Sequence, residues 1–207
     1  MSRKPRLIAV IGPESSGSTH LAKLLTTALG LEWSFRSLQQ FPTTEKDKRL
    51  PNKVFHASLP AFPDHKFIDI EAFEKNNKKF YERIDYVVCT RDITISEQSR
   101  RQRWPKRDFS LLEEHRQKAK SIIEHVLTTK RSMIWSYETF MFLKHQYLVR
   151  LFNFLEIDLK NIPDLNDIVD GNVKHINLSK PTNQTFATEG VARYTIRPEG
   201  ISINFTK

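Results

Sequence analysis

The sequence predicts an α/β fold in three layers, a central parallel sheet flanked by helices, and three observations predict it. Leu7-Ile8-Ala9-Val10-Ile11 is a short apolar, β-branched run ended by Gly12-Pro13, the pattern of a strand buried on both faces. A glycine-bearing loop and then a helical repeat of leucines (Leu21, Leu24, Leu25, Leu29) follow directly, closed by Gly30. Further strand-like runs, Tyr86 to Thr90 and Met133 to Tyr137, alternate with amphipathic stretches, as in a doubly wound sheet.

The intervening elements are read in order. Residues 31–66 hold Pro42, Pro51, Pro60 and Pro63 and little periodicity, and read as a substrate-facing loop with a possible strand at Val54 to His56. Phe67-Ile68-Asp69-Ile70 reads as a short strand, and residues 71–83 as a charged helix. Ile93 to Arg103 reads as a helix ended before Pro105. Leu112, His115, Ala119, Ile122, Ile123 and Val126 mark one face of a longer one, and Lys144 to Leu155 is the last clear helix. Beyond it the pattern weakens. At 207 residues with 39% apolar content, the chain is expected to form a single domain over 1–207.

Cys89 is alone, so no internal disulfide forms, and neither a signal peptide nor an apolar run of membrane-spanning length is present; a reducing cytoplasm is the expected compartment. The net charge of +9 favours anionic partners. The run Arg100, Arg101, Arg103, Lys106 and Arg107 reads as a solvated helix face that can also draw in an acidic ligand. Without aromatic interleaving or helix-turn-helix spacing it does not support nucleic-acid binding. No spaced ligand set for a metal is found.

Gly12-Pro13-Glu14-Ser15-Ser16-Gly17-Ser18-Thr19 has the length and glycine positions of G-x-x-x-x-G-K-[ST], between a strand and a helix. Its N–H groups and hydroxyls suit phosphate oxygens, so the fold is expected to be of P-loop type. Ser18 stands where a triphosphate-binding loop has lysine, which disfavours an ordinary ATPase or kinase.

The run Ser15-Ser16-Gly17-Ser18-Thr19 resembles the S-G-T-T or S-G-S-T phosphosulfate loop of sulfotransferases dependent on 3′-phosphoadenosine 5′-phosphosulfate (PAPS). Arg91 is followed eight positions on by Ser99, similar to the pair that holds the 3′-phosphate in that family. Trp135-Ser136-Tyr137-Glu138 resembles its Y-E-D-L strand. The resemblance spans roughly residues 7–157 and implies sulfuryl transfer from PAPS to an unidentified acceptor, an acidic one being among the candidates, leaving 3′-phosphoadenosine 5′-phosphate. It also implies that Ser15, Ser16, Gly17, Ser18, Thr19, Arg91, Ser99 and Tyr137 bind the nucleotide. His56, after a strand-like stretch, is the candidate general base, with His65 in reserve.

Two departures stand out. The lysine that many relatives carry before S-G-T-T is Ser15 here, leaving Lys23, Arg36 or Lys53 to supply the charge; and no R-K-G loop closes the chain, leaving Lys174 and Arg193 as substitutes. A nucleotide or nucleoside kinase with a degenerate loop and a non-catalytic basic binding module are the alternatives.

Overall fold

The computed structural model describes residues 6–30, 52–61, 65–105, 110–165, 168–173, 175, 185–187, 192–197 and 200–205. Two compact units divide the chain, Met1–Asp170 and Gly171–Lys207.

The larger unit is an α/β sandwich. Strands β1 (Arg6–Pro13), β2 (Asn52–Leu59), β3 (Arg83–Thr90) and β4 (Ser132–Ser136) form a parallel sheet in the order β2-β1-β3-β4. β1 lies inside the sheet and both its faces are covered, which is why its sequence is continuously apolar rather than alternating. Ile8 and Val10 join one core with Val87, Cys89 and Trp135; Leu7, Ala9 and Ile11 join the other with Phe55, Tyr86 and Val88.

Helices close both cores. On the first face lie α1 (Ser18–Ala28), with Leu21 and Leu25 inward, and the later α6 (His145–Leu155), with Leu148, Leu151, Phe152 and Leu155 inward. The opposite face is covered by α2 (Ile70–Asn77) through Phe73 and by α4 (Leu112–Thr129) through Ala119 and Val126. Each fully buried leucine contributes roughly 2 kcal/mol by leaving water. Between them, α3 (Ile93–Arg103) follows β3, and the short α5 (Tyr137–Leu143) follows β4.

Several boundaries differ from the sequence reading, each for a local reason. Phe67 to Ile70 makes no strand: the Asp69 carboxylate accepts the N–H of Ala72 at 3.0 Å and caps α2, an interaction stronger than the β preference of two isoleucines. Tyr137 opens α5 rather than ending β4, because the Ser136 hydroxyl accepts the N–H of Thr139 at 3.2 Å. α2 stops at Asn77, and β3 starts at Arg83, three residues ahead of the apolar run. The strand at Val54 to His56 is the middle of β2. Most of the proline-rich stretch, residues 31–51 and 62–64, lies outside the described residues, as do Arg36, Lys106, Arg107 and Lys174.

The smaller unit carries β5 (Thr185–Ala187), β6 (Ala192–Arg197) and β7 (Gly200–Phe205) in an antiparallel sheet of that order. Among the described residues no helix is long and apolar enough to cross a membrane.

Candidate functional site

The chain runs from β1 to β2 on one side and from β3 to β4 on the other, so the connections diverge above the carboxyl ends of β1 and β3. In parallel α/β sheets that divergence opens a crevice where ligands bind. Three segments meet there: the loop Glu14 to Gly17, the corner Thr90 to Asp92, and the start of α5.

The loop is tightly built. The Ser16 N–H donates to the Pro13 carbonyl at 3.0 Å, closing a turn in which Ser15 holds φ 66, and Gly17, directly after it, holds φ 85 at the start of α1. A side chain at Gly12 would stand 2.5 Å from the Cys89 carbonyl oxygen, so this glycine is required by the approach of β3. At Gly17 a Cβ would stand 2.7 Å from the Tyr137 ring. The second glycine is therefore set by a left-handed backbone and by the aromatic ring lying against it, not by room for phosphate alone.

Arg91 completes the closure. Its guanidinium donates to the Ser15 carbonyl at 3.0 Å and lies over the Tyr137 ring, 4.6 Å from the centroid. Glu138 accepts the Asp92 N–H at 3.0 Å, so the first two residues of α5 clamp the corner after β3 to the loop. Burial pulls the Arg91 guanidinium below its ordinary range, while Tyr137, Glu138 and Asp170 push the other way. Arg91 is thus a cation placed on the loop. Lys23 is exposed on α1, and Lys53 is buried beside Leu7, near the opposite end of the strands from the loop.

His56 lies within β2, paired with Val10, and strand alternation turns it to the α1 face while Phe55 and Ala57 enter the opposite core. There its Nε2 sits 2.9 Å from the Ser18 hydroxyl and 3.4 Å from that of Thr19. Burial lowers its pKa to about 4, so at neutral pH the ring is uncharged and shares a neutral hydrogen bond with the Ser18 hydroxyl. Ser18 is itself buried. The Ser15 and Ser16 hydroxyls are buried with no hydrogen-bond partner among the described residues, and no side chain of those residues caps the start of α1.

A cleft of about 450 Å³ opens beside the loop on the α2/α4 face. Ser16 and Arg91 line it; Ser99 is buried on α3 but does not, and the α3 residues that do are Ser96 and Arg100. From α4 come His115, Arg116 and Lys120. His65 stacks on His115 with ring centroids 5.4 Å apart, and so reaches the cleft wall indirectly. His56, on the other face of the sheet, is not part of that wall. Arg100 belongs to the basic run that the sequence marks as able to draw in an acidic ligand, whereas Ser96 and His115 are not marked as site residues. Their spacing is the available signal: four residues separate Ser96 from Arg100, and His115, Ala119 and Ile123, which share the cleft, follow the same step.

Fold and loop together define a three-layer α/β protein with a glycine-bearing strand-to-helix loop at the carboxyl edge of a parallel sheet. No family model matches the chain, and no curated protein matches it. Among solved structures it is similar to an unliganded sugar kinase from Janibacter sp. HTCC2649, at 14% identity and a TM-score of 0.41, covering 78% of this chain and 99% of that one. A likeness of that depth decides nothing about activity.

Proposed function

We propose that the chain is a sulfotransferase that binds PAPS at the Glu14 to Thr19 loop without a metal and transfers its sulfuryl group to an acceptor in the adjoining cleft. The observation that carries this reading is Ser18: where a triphosphate-binding loop has a lysine, this chain has a buried serine bonded to an uncharged imidazole. The loop therefore offers hydroxyls and N–H groups to a short anion and no ammonium group to a γ-phosphate. The residues fit a phosphosulfate: the buried Ser15 and Ser16 hydroxyls, unpartnered among the described residues, are donors awaiting an acceptor, and the uncapped first turn of α1 adds N–H groups.

PAPS, when bound, supplies a sulfuryl group on a phosphate leaving oxygen. Ser15, Ser16 and Thr19 hold that end, and Arg91 keeps the loop shut through the Ser15 carbonyl while adding positive charge beside it. His56 orients the Ser18 and Thr19 hydroxyls. His115, on the cleft wall and stacked on His65, is the histidine positioned to take the acceptor's proton.

Calorimetric titration tests the reading. Binding of 3′-phosphoadenosine 5′-phosphate with unchanged affinity when Mg²⁺ is removed, at least about tenfold tighter than ATP, is expected. Mg²⁺-dependent ATP binding that exceeds it would transfer the assignment to a phosphotransferase.

A further inference from the structure

The cleft beside the loop has a lining of two characters. Its walls are apolar: Leu59 from the end of β2, Ile93 from α3, and Ala119 and Ile123 from α4. Polar groups enter from fewer places, and their charge is unbalanced. Among the described residues, Arg91, Arg100, Arg116 and Lys120 line the cleft with two carboxylates, Glu14 and Glu113. Of the cations, Arg116 is taken up by ion pairs to Glu97 and Glu113, whereas Lys120 makes a distant, exposed pair to Glu124 at 3.7 Å. Arg100 is 6% exposed, so its guanidinium is held among protein groups rather than in bulk water, where its field on a ligand would be weakened.

A space of about 450 Å³ is within the range of small-molecule sites and far too narrow for a folded partner. Apolar walls favour a hydrocarbon body. The excess of cations attracts an anionic head, leaves a neutral one without that gain and repels a cationic one, so the occupant combines both features. A free sugar, polar all round, would strip its hydroxyls of water against Leu59, Ile93 and Ile123 without matching partners.

We infer that this cleft binds an anionic amphipathic small molecule, an aryl or alkyl body carrying a carboxylate, phosphate or sulfate. On the sulfuryl-transfer reading above, which this identification of the acceptor rests on, that molecule is the class of acceptor when its body also carries a hydroxyl or amine, which takes the sulfuryl group from the phosphate leaving oxygen and gives up its proton. The body lies along α4 at Ala119 and Ile123, and the anionic group lies toward Arg100 and Lys120.

Three probes separate the contributions by calorimetry on the full chain: 2-naphthoate, 2-naphthol and acetate. The expected order is naphthoate at least about tenfold tighter than naphthol, with acetate not measurable, and naphthoate binding weakened by added salt. Ile123→Trp, which fills the cleft, and Lys120→Glu, a substitution at an exposed position that leaves the core untouched, are each expected to weaken naphthoate by about tenfold or more. Equal binding of naphthol and naphthoate, or naphthoate binding unchanged in both variants, overturns the inference. So does displacement of naphthoate by 3′-phosphoadenosine 5′-phosphate, which would assign the cleft to the nucleotide. If naphthoate binds as expected while the nucleotide does not bind at all, the transfer reading fails and the ligand class of the cleft stands.

Discussion

The Nε2 of His56 lies 2.9 Å from the Ser18 hydroxyl, joining the middle of β2 to the first residue of α1. The pair has a pH signature. Burial lowers His56 to about 4, against about 6.5 in an unfolded chain, so between those values the unfolded state binds more protons. The stability it contributes is fully present above about pH 6.5 and is lost as pH falls toward about 4, by up to roughly 3 kcal/mol. Urea unfolding at pH 7.5, 6 and 5 should show this slope in the natural chain and a flatter one in His56→Gln, which keeps a polar group but does not titrate. An unchanged slope would assign the effect to other groups.

Ser16→Ala separates stability from binding. The hydroxyl is buried with no partner among the described residues, so its removal should leave the midpoint of urea unfolding unchanged or raise stability by up to about 1 kcal/mol. The affinity for 3′-phosphoadenosine 5′-phosphate should fall by about tenfold, the worth of one charge-assisted hydrogen bond. A loss of stability with unchanged affinity would mean that the hydroxyl serves the fold.

Gly17→Ala and Gly30→Ala form a matched pair, both at positive φ. A Cβ on Gly30 would meet no described atom within 4 Å, so its substitution carries only backbone strain, about 1 to 2 kcal/mol. At Gly17 the Cβ also meets the Tyr137 ring at 2.7 Å, and the cost should be larger. Adding Tyr137→Ala to Gly17→Ala should recover part of the difference in a double-mutant cycle by chemical denaturation. Additive effects would show that the ring gives way freely.

Arg91→Lys keeps the charge but not the planar group stacked on Tyr137. Loss of the bond to the Ser15 carbonyl should loosen the loop and weaken AMP and 3′-phosphoadenosine 5′-phosphate alike, by about tenfold. If Arg91 also reads the 3′-phosphate, the second nucleotide loses about a further tenfold. Equal losses would confine Arg91 to closing the loop.

Much of the larger unit is readable in the sequence because its central strands, β1 and β3, are buried on both sides. Leu7 to Ile11 and Tyr86 to Thr90 are apolar or nearly so at consecutive positions, and α1, α3, α4 and α6 fall within a few residues of their predicted spans. Capping is harder to read, since Asp69 and Ser136 each convert the end of an apparent strand into the start of a helix through one hydrogen bond. The antiparallel sheet at the end of the chain is not evident from the residue pattern. Its strands β6 and β7 are only 6 residues each, and they pair from Ala192 opposite Phe205 to Arg197 opposite Gly200.

By itself the sequence determined the strand, loop and helix that open the chain, the serine in place of lysine at position 18, and an excess of positive charge, because these depend on neighbouring residues and composition. Tertiary structure decided what each group faces. Register with β1 turned His56 toward Ser18 and away from the cleft, because neighbouring residues of a strand point to opposite sides of the sheet. Packing of α5 brought Tyr137 against Gly17 and under Arg91, while the turn of α3 put Arg100 and Ser96, rather than Ser99, on the cleft wall. These are contacts between residues far apart in the chain, and only the folded sheet and its helices fix them.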